Sequence, residues 1–126
     1  VTDMRALVID DSRAVRKILR QFLEEEGYEV HEAADGMEAL AQVHEHGSFE
    51  IALVDWNMPH ISGYEFVKAI RAREHYQGMM LMMVTTETDF ERVKAALDAG
   101  ADEYVMKPFT KEMIQDKLRL LLEGTV

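Results

Sequence analysis

Residues 79–84 read "MMLMMV" and residues 51–54 read "IALV", so two segments of strand length carry no polar residue. A strand with one solvated face alternates apolar and polar residues, whereas a strand of a parallel sheet covered on both faces is continuously apolar. The two segments therefore predict strands of a parallel sheet that is buried between two layers of helices.

Apolar segments of this kind recur along the whole chain at fairly even intervals. The predicted strands are residues 5–9, 28–33, 51–55, 79–84 and 103–106. The connections between and after them carry apolar residues at the i, i+3, i+4 spacing of one buried helix face. These stripes are Val15, Ile18, Leu19, Phe22 and Leu23; Phe66, Val67 and Ile70; Val93, Ala96 and Leu97; and Ile114, Leu118 and Leu121. Strands that alternate with helices predict a (βα)₅ fold, an open doubly wound α/β sheet.

Helix boundaries are marked by capping residues and by glycine. Three segments resemble capping boxes, with an acceptor followed three residues later by Glu: 35–38, 62–65 and 88–91. Gly27, Gly47, Gly100 and Gly124 fall where helices are expected to stop. The last helix is predicted to end at about Leu122, so one domain is expected to span residues 1–126.

Composition excludes several classes of function. The chain has 126 residues, 48% of them hydrophobic, with no cysteine and a formal charge of −10. It therefore lacks thiolate nucleophiles and zinc–cysteine sites, and the negative field argues against nucleic-acid binding. No run of 18 apolar residues predicts membrane insertion, and a cytoplasmic location is the default expectation.

The predicted strand ends carry the chemistry. In an open parallel sheet, ligands bind outside the carboxyl ends of the strands. Three carboxylates, hydroxyls and an ammonium group converge there: Asp10, Asp11, Asp55, Thr85, Thr86 and Lys107. Oxygen ligands without His or Cys suit a hard cation such as Mg²⁺ or Mn²⁺, which would offset the repulsion among the carboxylates. With the metal and Lys107 in place, one carboxylate could act as a nucleophile toward phosphorus, and Thr85 could hydrogen-bond a phosphoryl oxygen.

At this point five motifs, in order and in register, carry a family resemblance. They are "IDDS" (9–12), "LVDWNMP" (53–59), "SGYEF" (62–66), "MVTTE" (83–87) and "GADEYVMKPF" (100–109). Together they resemble the receiver domain of two-component response regulators, and most nearly the single-domain chemotaxis regulators of the CheY type. The resemblance covers essentially the whole chain and implies a flavodoxin-like sheet with strand order 2-1-3-4-5.

The resemblance implies a role for each matching residue. Asp55 would accept a phosphoryl group from a histidine kinase, and Lys107 would contact the phosphate. Asp11 would bind the metal directly, Asp10 largely through water, and Asn57 through its backbone carbonyl. The remaining matches are the switch residues Thr85 and Tyr104, the residues Asn57 and Glu87 that tune dephosphorylation, and Pro108, which is expected after a cis peptide bond.

The resemblance also implies partners and an activity. A downstream protein would bind the face made by the fourth helix, fifth strand and fifth helix, and a phosphatase is a further possible partner. The protein would catalyse its own phosphorylation and dephosphorylation without being an enzyme that turns over external substrates. The chain departs from motor-binding relatives at "TDFER" (88–92), which has Asp89 and Phe90 where those relatives tend to be basic. Thr86 is also larger than the residue often found there.

Alternative functions are weighed against the same residues. A metal-dependent aspartyl phosphatase carries a D-x-D motif after its first strand, whereas this chain has D-D-S at that position. A flavodoxin-like cofactor binder needs a phosphate-cradling loop there, and a pseudo-receiver generally lacks the acceptor or the acidic pair. The alternative that this sequence is a receiver domain excised from a larger regulator remains open.

His44 and His46 are two residues apart on a helix, which points them to different faces and excludes them as a ligand pair. Trp56 is expected at the rim of the site.

Overall fold

The computed structural model of the chain describes the backbone of residues 4–123 and the side chains of residues 4–121. Over this range strands and helices alternate as the sequence predicts. The elements are β1 (Arg5–Ile9), α1 (Arg13–Glu25), β2 (Glu29–Ala33), α2 (Gly36–His46), β3 (Ile51–Val54), α3 (Gly63–Arg71), a short 3₁₀ helix (Glu74–Tyr76), β4 (Met80–Thr85), α4 (Phe90–Ala99), β5 (Glu103–Met106) and α5 (Lys111–Glu123).

The strands form one parallel sheet in the order β2-β1-β3-β4-β5. Successive residues of β1 face opposite layers: Ala6 and Val8 pack with α1 and α5, and Leu7 and Ile9 pack with α2, α3 and α4. Every residue of β3 is buried, because both faces of the sheet are covered. The doubly wound α/β prediction and its strand order are confirmed.

Several details differ from the sequence prediction. The bounds of β2, β3 and β4 shift by one residue, so that Met79 precedes its strand and Thr85 ends it. Ile18 and Leu97 were predicted on buried helix faces but are 44% and 42% exposed. They lie at the edges of the apolar stripes, where the width of the covering contact decides burial. The N-cap of α4 is Asp89 rather than Thr88, because its carboxylate accepts from the backbone of Glu91 and Arg92.

The capping residues of α2 and α3 and two of the glycines mark helix ends as the sequence predicts. Ser62 and Glu65 form a reciprocal capping box at α3, and Asp35 caps α2 by accepting from the backbone of Glu38. Gly47 and Gly100 terminate α2 and α4 with positive φ angles. Gly124 lies outside the described residues, and α5 reaches Glu123, the last described residue, within one residue of the predicted end at about Leu122.

Arg71, the last residue of α3, joins the layer of helices to the sheet. Its guanidinium group donates to four backbone carbonyls and to one carboxylate, and the side chain is 15% exposed. The acceptors are the carbonyls of Tyr76, Gln77, Met79 and Gly100 and the carboxylate of Asp102. Asp102 also accepts from the backbone of Leu81 in β4. The planar fork of an arginine suits such multiple acceptors better than a lysine would.

Candidate functional site

The side chains at the carboxyl edge of the sheet form one acidic cluster. Oxygen atoms of Asp10, Asp11 and Asp55 all lie within 4.8 Å of one another. Asp10 is 1% exposed and Asp55 is 6% exposed, while Asp11 lies at the surface. The parallel topology places these residues together, since β1 and β3 are neighbours and end in register.

Lys107, which follows β5, supplies the positive charge of the cluster. Its Nζ lies 2.8 Å from Oδ2 of Asp10 and 3.5 Å from Oδ2 of Asp55. Burial acts to lower the pKa of Lys107, but the hydrogen bond to Asp10 and the charge of Asp55 outweigh it and raise the pKa. Lys107 is therefore an ammonium ion at neutral pH, and one positive charge faces three carboxylates.

Asp10 already has partners for both carboxylate oxygens. Oδ1 accepts from the backbone N–H of Ser12 at 2.8 Å, and Oδ2 accepts from Lys107. Arg16 in α1 donates to the backbone carbonyl of Asp10 at 2.6 Å and is paired with Glu32 of β2. These contacts fix the end of β1, and they leave Asp10 with less free coordinating capacity than the exposed Asp11.

Asp55 has the opposite environment. Its Oδ1 is buried without a hydrogen-bond partner, and among the described residues only the hydroxyl of Tyr28 shares that condition. Burial raises the pKa of Asp55, although the neighbouring Thr85 hydroxyl and Lys107 ammonium group act to lower it. An orphaned oxygen on a desolvated carboxylate is free to bind a cation or to attack an electrophile. The donor set fits a hard divalent ion such as Mg²⁺.

The start of α3 is packed directly against this carboxylate segment. Gly63 donates its backbone N–H to the carbonyl of Trp56 at 2.9 Å. A Cβ at Gly63 would lie 2.1 Å from the backbone carbonyl oxygen of Asp55, a distance that no side chain can occupy. Gly63 thus allows the loop that carries Asp55 to approach the helix closely.

A hydrogen-bonded path runs from Thr85 to Tyr104. Thr85 is fully buried at the end of β4, and its Oγ1 accepts from the backbone N–H of Glu87 at 3.2 Å. The Tyr104 hydroxyl donates to the backbone carbonyl of Glu87 at 2.8 Å. Burial, with the charges of Glu87 and Asp55, raises the pKa of Tyr104 to about 12. The neutral phenol therefore remains a donor at physiological pH.

Three predicted site residues remain to be placed: Asn57, Glu87 and Pro108. Asn57 is exposed two residues after Asp55, and the peptide bond from Lys107 to Pro108 is cis. The Glu87 carboxylate accepts from the backbone of Asp89 and pairs with Arg92, so it faces the first turn of α4.

Trp56 was predicted at the rim of the site, but it is 9% exposed and stacks on Tyr64 of α3 with a centroid separation of 5.4 Å. The apolar residues of α3 bury it, which corrects the prediction.

Sequence reasoning missed the roles of Ser12, Arg16 and Gly63. Ser12 caps α1 by accepting from Val15, and its own N–H holds Asp10. A serine directly after the acidic pair and before a helical stripe is a readable capping signal. Gly63 lies inside the capping box of α3 and could be noticed as the small residue there. The contact of Arg16 has no local signal, because it depends on how α1 packs on β2.

The fold and the site together define a class: a five-stranded parallel α/β domain of CheY-like topology, with a lysine and an acidic cluster that could hold a cation at its carboxyl edge. The chain belongs to the response regulator receiver domain family, which matches residues 6–119. Aspartate phosphorylation and Mg²⁺ binding at the acidic pocket are general properties of receiver domains.

The similar proteins include chemotaxis regulators. The chain is 38% identical over 120 residues to chemotaxis protein CheY1 of Helicobacter pylori, covering 94% of this chain and 97% of that protein. The structure of chemotaxis protein CheY4 of Vibrio cholerae superposes with a TM-score of 0.86 at 37% identity, covering 94% of this chain and 98% of that one.

A response regulator of Thermotoga maritima, TrrA, was solved in complex with Mg²⁺ and BeF. It has a TM-score of 0.80 at 34% identity, with 94% of this chain and 98% of that chain covered.

Within residues 4–123, no helix is long and apolar enough to span a membrane.

Proposed function

We propose that this receiver domain, taken as a single domain over residues 1–126, is a switch controlled by phosphorylation of Asp55. The observation that carries the proposal is the buried carboxylate of Asp55, whose Oδ1 has no hydrogen-bond partner and whose Oδ2 lies 3.5 Å from the ammonium group of Lys107. A nucleophile needs a free lone pair, and phosphoryl transfer needs positive charge close to the transferred oxygens. Both requirements meet at this one side chain.

The metal ligands follow from which oxygens remain available. Asp11 is exposed and Asp55 has a free oxygen, so these two carboxylates would hold Mg²⁺, or Mn²⁺, directly. Asp10 would act through water because both its oxygens already accept hydrogen bonds. The backbone carbonyl of Asn57 completes the protein ligands. When bound, the ion supplies charge neutralisation and orients phosphoryl oxygens.

Phosphoryl transfer from a histidine kinase breaks the phosphorus–nitrogen bond of the donor and forms a phosphorus–oxygen bond to Asp55. Lys107 neutralises charge on the phosphoryl oxygens, and Asp10 holds its Nζ in place at 2.8 Å. In hydrolysis, water attacks phosphorus, inorganic phosphate leaves and the carboxylate of Asp55 is restored. Asn57 and Glu87 tune that step, and Glu87 is paired with Arg92 in the unphosphorylated protein. Self-catalysed transfer and hydrolysis of this kind turn over no external substrate.

The switch passes through Thr85 and Tyr104. A phosphoryl group on Asp55 accepts a hydrogen bond from the Thr85 hydroxyl, which then releases the backbone N–H of Glu87. Tyr104 is attached to the same residue through its carbonyl, so the β4–α4 connection and the tyrosine respond together. Such a change biases an equilibrium that exists before phosphorylation.

The responding elements carry the surface for a downstream partner. α4, β5 and α5 each present an exposed apolar side chain, and Phe90 at the start of α4 is 75% exposed. The others are Leu97 in α4, Met106 in β5, and Met113 and Leu120 in α5. Exposed apolar residues rimmed by charges are typical of protein-binding surfaces. We assign this surface to a downstream protein of a chemotaxis pathway, with a phosphatase as a further candidate partner.

The test uses Trp56, the only tryptophan of the chain, as a fluorescent reporter of the adjacent acceptor. The protein is titrated with Mg²⁺ and then with acetyl phosphate, and intact-mass spectrometry follows the gain of one phosphoryl group. We expect saturable fluorescence changes in both steps and a phosphoryl group that requires the metal. The rate at which the mass gain disappears after donor removal measures hydrolysis.

Asp55→Asn is the decisive variant, and Asp98→Asn is the matched control because it removes the same charge from an exposed side chain near the end of α4, at the opposite edge of the sheet. The proposal requires Asp55→Asn to lose the mass gain and Asp98→Asn to keep it. A phosphoryl group that survives Asp55→Asn, or a wild-type protein that gains none in the presence of metal, overturns the proposal.

A further inference from the structure

A second group of metal-ligating side chains lies at the opposite end of the sheet from Asp55. Glu29 and His31 are the first and third residues of β2, and His46 is the last residue of α2. His31 Nε2 lies 2.8 Å from a carboxylate oxygen of Glu29, and the ring centroids of His31 and His46 are 5.1 Å apart. Helix α2 runs back along the sheet, which brings two histidines together from positions 15 residues apart in the chain.

The separation of the two ring centroids is compatible with two imidazoles bound to a single ion. In a tetrahedral zinc site each ring nitrogen lies about 2.0–2.1 Å from the metal, which places the two ring centres about 5 Å apart. The observed 5.1 Å between His31 and His46 agrees with that spacing. An interplanar angle of 49° also leaves the rings unstacked, so that their nitrogens can turn toward a shared point.

The rings lie on a buried support. His31 packs edge-on against Phe49 at 5.4 Å, and His46 packs against the same ring at 6.5 Å. Arg5 lies over Phe49 and donates to the carbonyls of His46 and Ser48, which fixes the end of α2 against β1. Phe49 therefore gives the two rings a common packing surface.

Most of the nearby charges favour the binding of a cation. His46 lies at the carboxyl end of α2, where the helix dipole is negative. Glu29 places a carboxylate oxygen 2.8 Å from Nε2 of His31. The guanidinium group of Arg5 is the opposing charge, and it is already bound to two carbonyls and to the face of Phe49.

We propose that Glu29, His31 and His46 bind a divalent transition-metal ion of the class that prefers imidazole, with Zn²⁺ as the probe and water completing the coordination. Two histidines and one carboxylate make a known zinc ligand set. The three groups do not all lie within 4.8 Å of one another as they stand, so binding requires a rotation of exposed side chains. Glu29 and His46 are both exposed and can make it.

Because Zn²⁺ also binds carboxylates, the experiment keeps Mg²⁺ in large excess to occupy the acidic cluster. Zn²⁺ is titrated calorimetrically into the full chain and into His31→Gln and His46→Gln. His44→Gln is the matched control, since His44 is exposed on the same helix but lines a cavity between α2 and α3 with Leu40 and Tyr76. Unfolding curves without Zn²⁺ establish that each variant is folded.

We expect one Zn²⁺ per chain and a loss of affinity of at least about tenfold in His31→Gln and in His46→Gln, since even outer-shell changes at metal sites cost that much. His44→Gln should bind as the wild type does. Equal Zn²⁺ binding by the wild type and His46→Gln, or equal losses in all three variants, refutes the proposal. His46 is exposed, so its variant remains informative even if His31→Gln is destabilised.

Discussion

Replacing Asp55 with Asn is expected to stabilise the metal-free protein while removing its function. Asp55 is a buried carboxylate whose Oδ1 has no hydrogen-bond partner, and Asp10 and Asp11 lie close by. An amide of the same shape removes one of three like charges, and its N–H₂ group can donate to the neighbouring carboxylates. The substitution also removes the 3.5 Å contact to Lys107, which keeps its shorter bond to Asp10.

A buried polar atom without a partner costs about 1–3 kcal/mol, and the weakened ion pair offsets part of the gain. We therefore expect the free energy of unfolding to rise by about 1–2 kcal/mol at neutral pH. For a domain of this size each kcal/mol raises Tm by about 4 °C.

The pH dependence has a definite sign. Burial raises the folded-state pKa of Asp55 above its ordinary 3.8. Protonated Asp55 therefore contributes stability that is present below that value and is lost as the pH rises through the folded-state pKa. The advantage of the Asn variant should be smallest near pH 4 and should grow toward neutral pH.

Urea denaturation in EDTA, at several values between about pH 4 and pH 8, measures both quantities. Excess Mg²⁺ should reverse the order, because the wild type gains about 2.7 kcal/mol at a metal concentration of 100 times Kd and the variant gains less. A variant that is less stable than the wild type in EDTA at neutral pH would refute the reasoning. An advantage that stays the same across the pH range would refute the assignment to the buried charge.

Three further substitutions test other contacts of the fold and site. Gly63→Ala places a Cβ 2.1 Å from the Asp55 carbonyl oxygen and should cost about 1–3 kcal/mol in urea denaturation, with weaker Mg²⁺ binding. Arg71→Lys keeps the charge but loses the fork that reaches five acceptors, and it should cost about 2–3 kcal/mol in the same assay with Mg²⁺ affinity unchanged. Tyr104→Phe keeps the ring but loses the bond to Glu87, so hydrogen exchange in the β4–α4 connection should respond less to acetyl phosphate while Asp55 is still phosphorylated.

The acidic site could be predicted from the sequence because topology alone brings its members together. Once the apolar segments at 51–54 and 79–84 indicate a parallel sheet, the residue that follows each strand must lie at the same edge. Asp10, Asp55 and Thr85 therefore converge without any knowledge of helix packing. The sequence pattern could not show which carboxylate oxygens are already hydrogen-bonded and which are free to bind a metal ion. That depends on the backbone N–H of Ser12 and on the reach of Lys107.

Residues that meet through helix packing behave differently. The angle and rotation of a helix on the sheet decide whether Ile18 is covered, how deeply Trp56 is buried against α3 and which way the carboxylate of Glu87 points. The meeting of His31 and His46 is the clearest case, because it requires α2 to end beside the third residue of β2. Periodicity excluded a pair within one helix, and that argument still holds for His44. A partner on another element carries no periodic signal, so ligand sets that join a helix end to a strand must be sought in the folded structure.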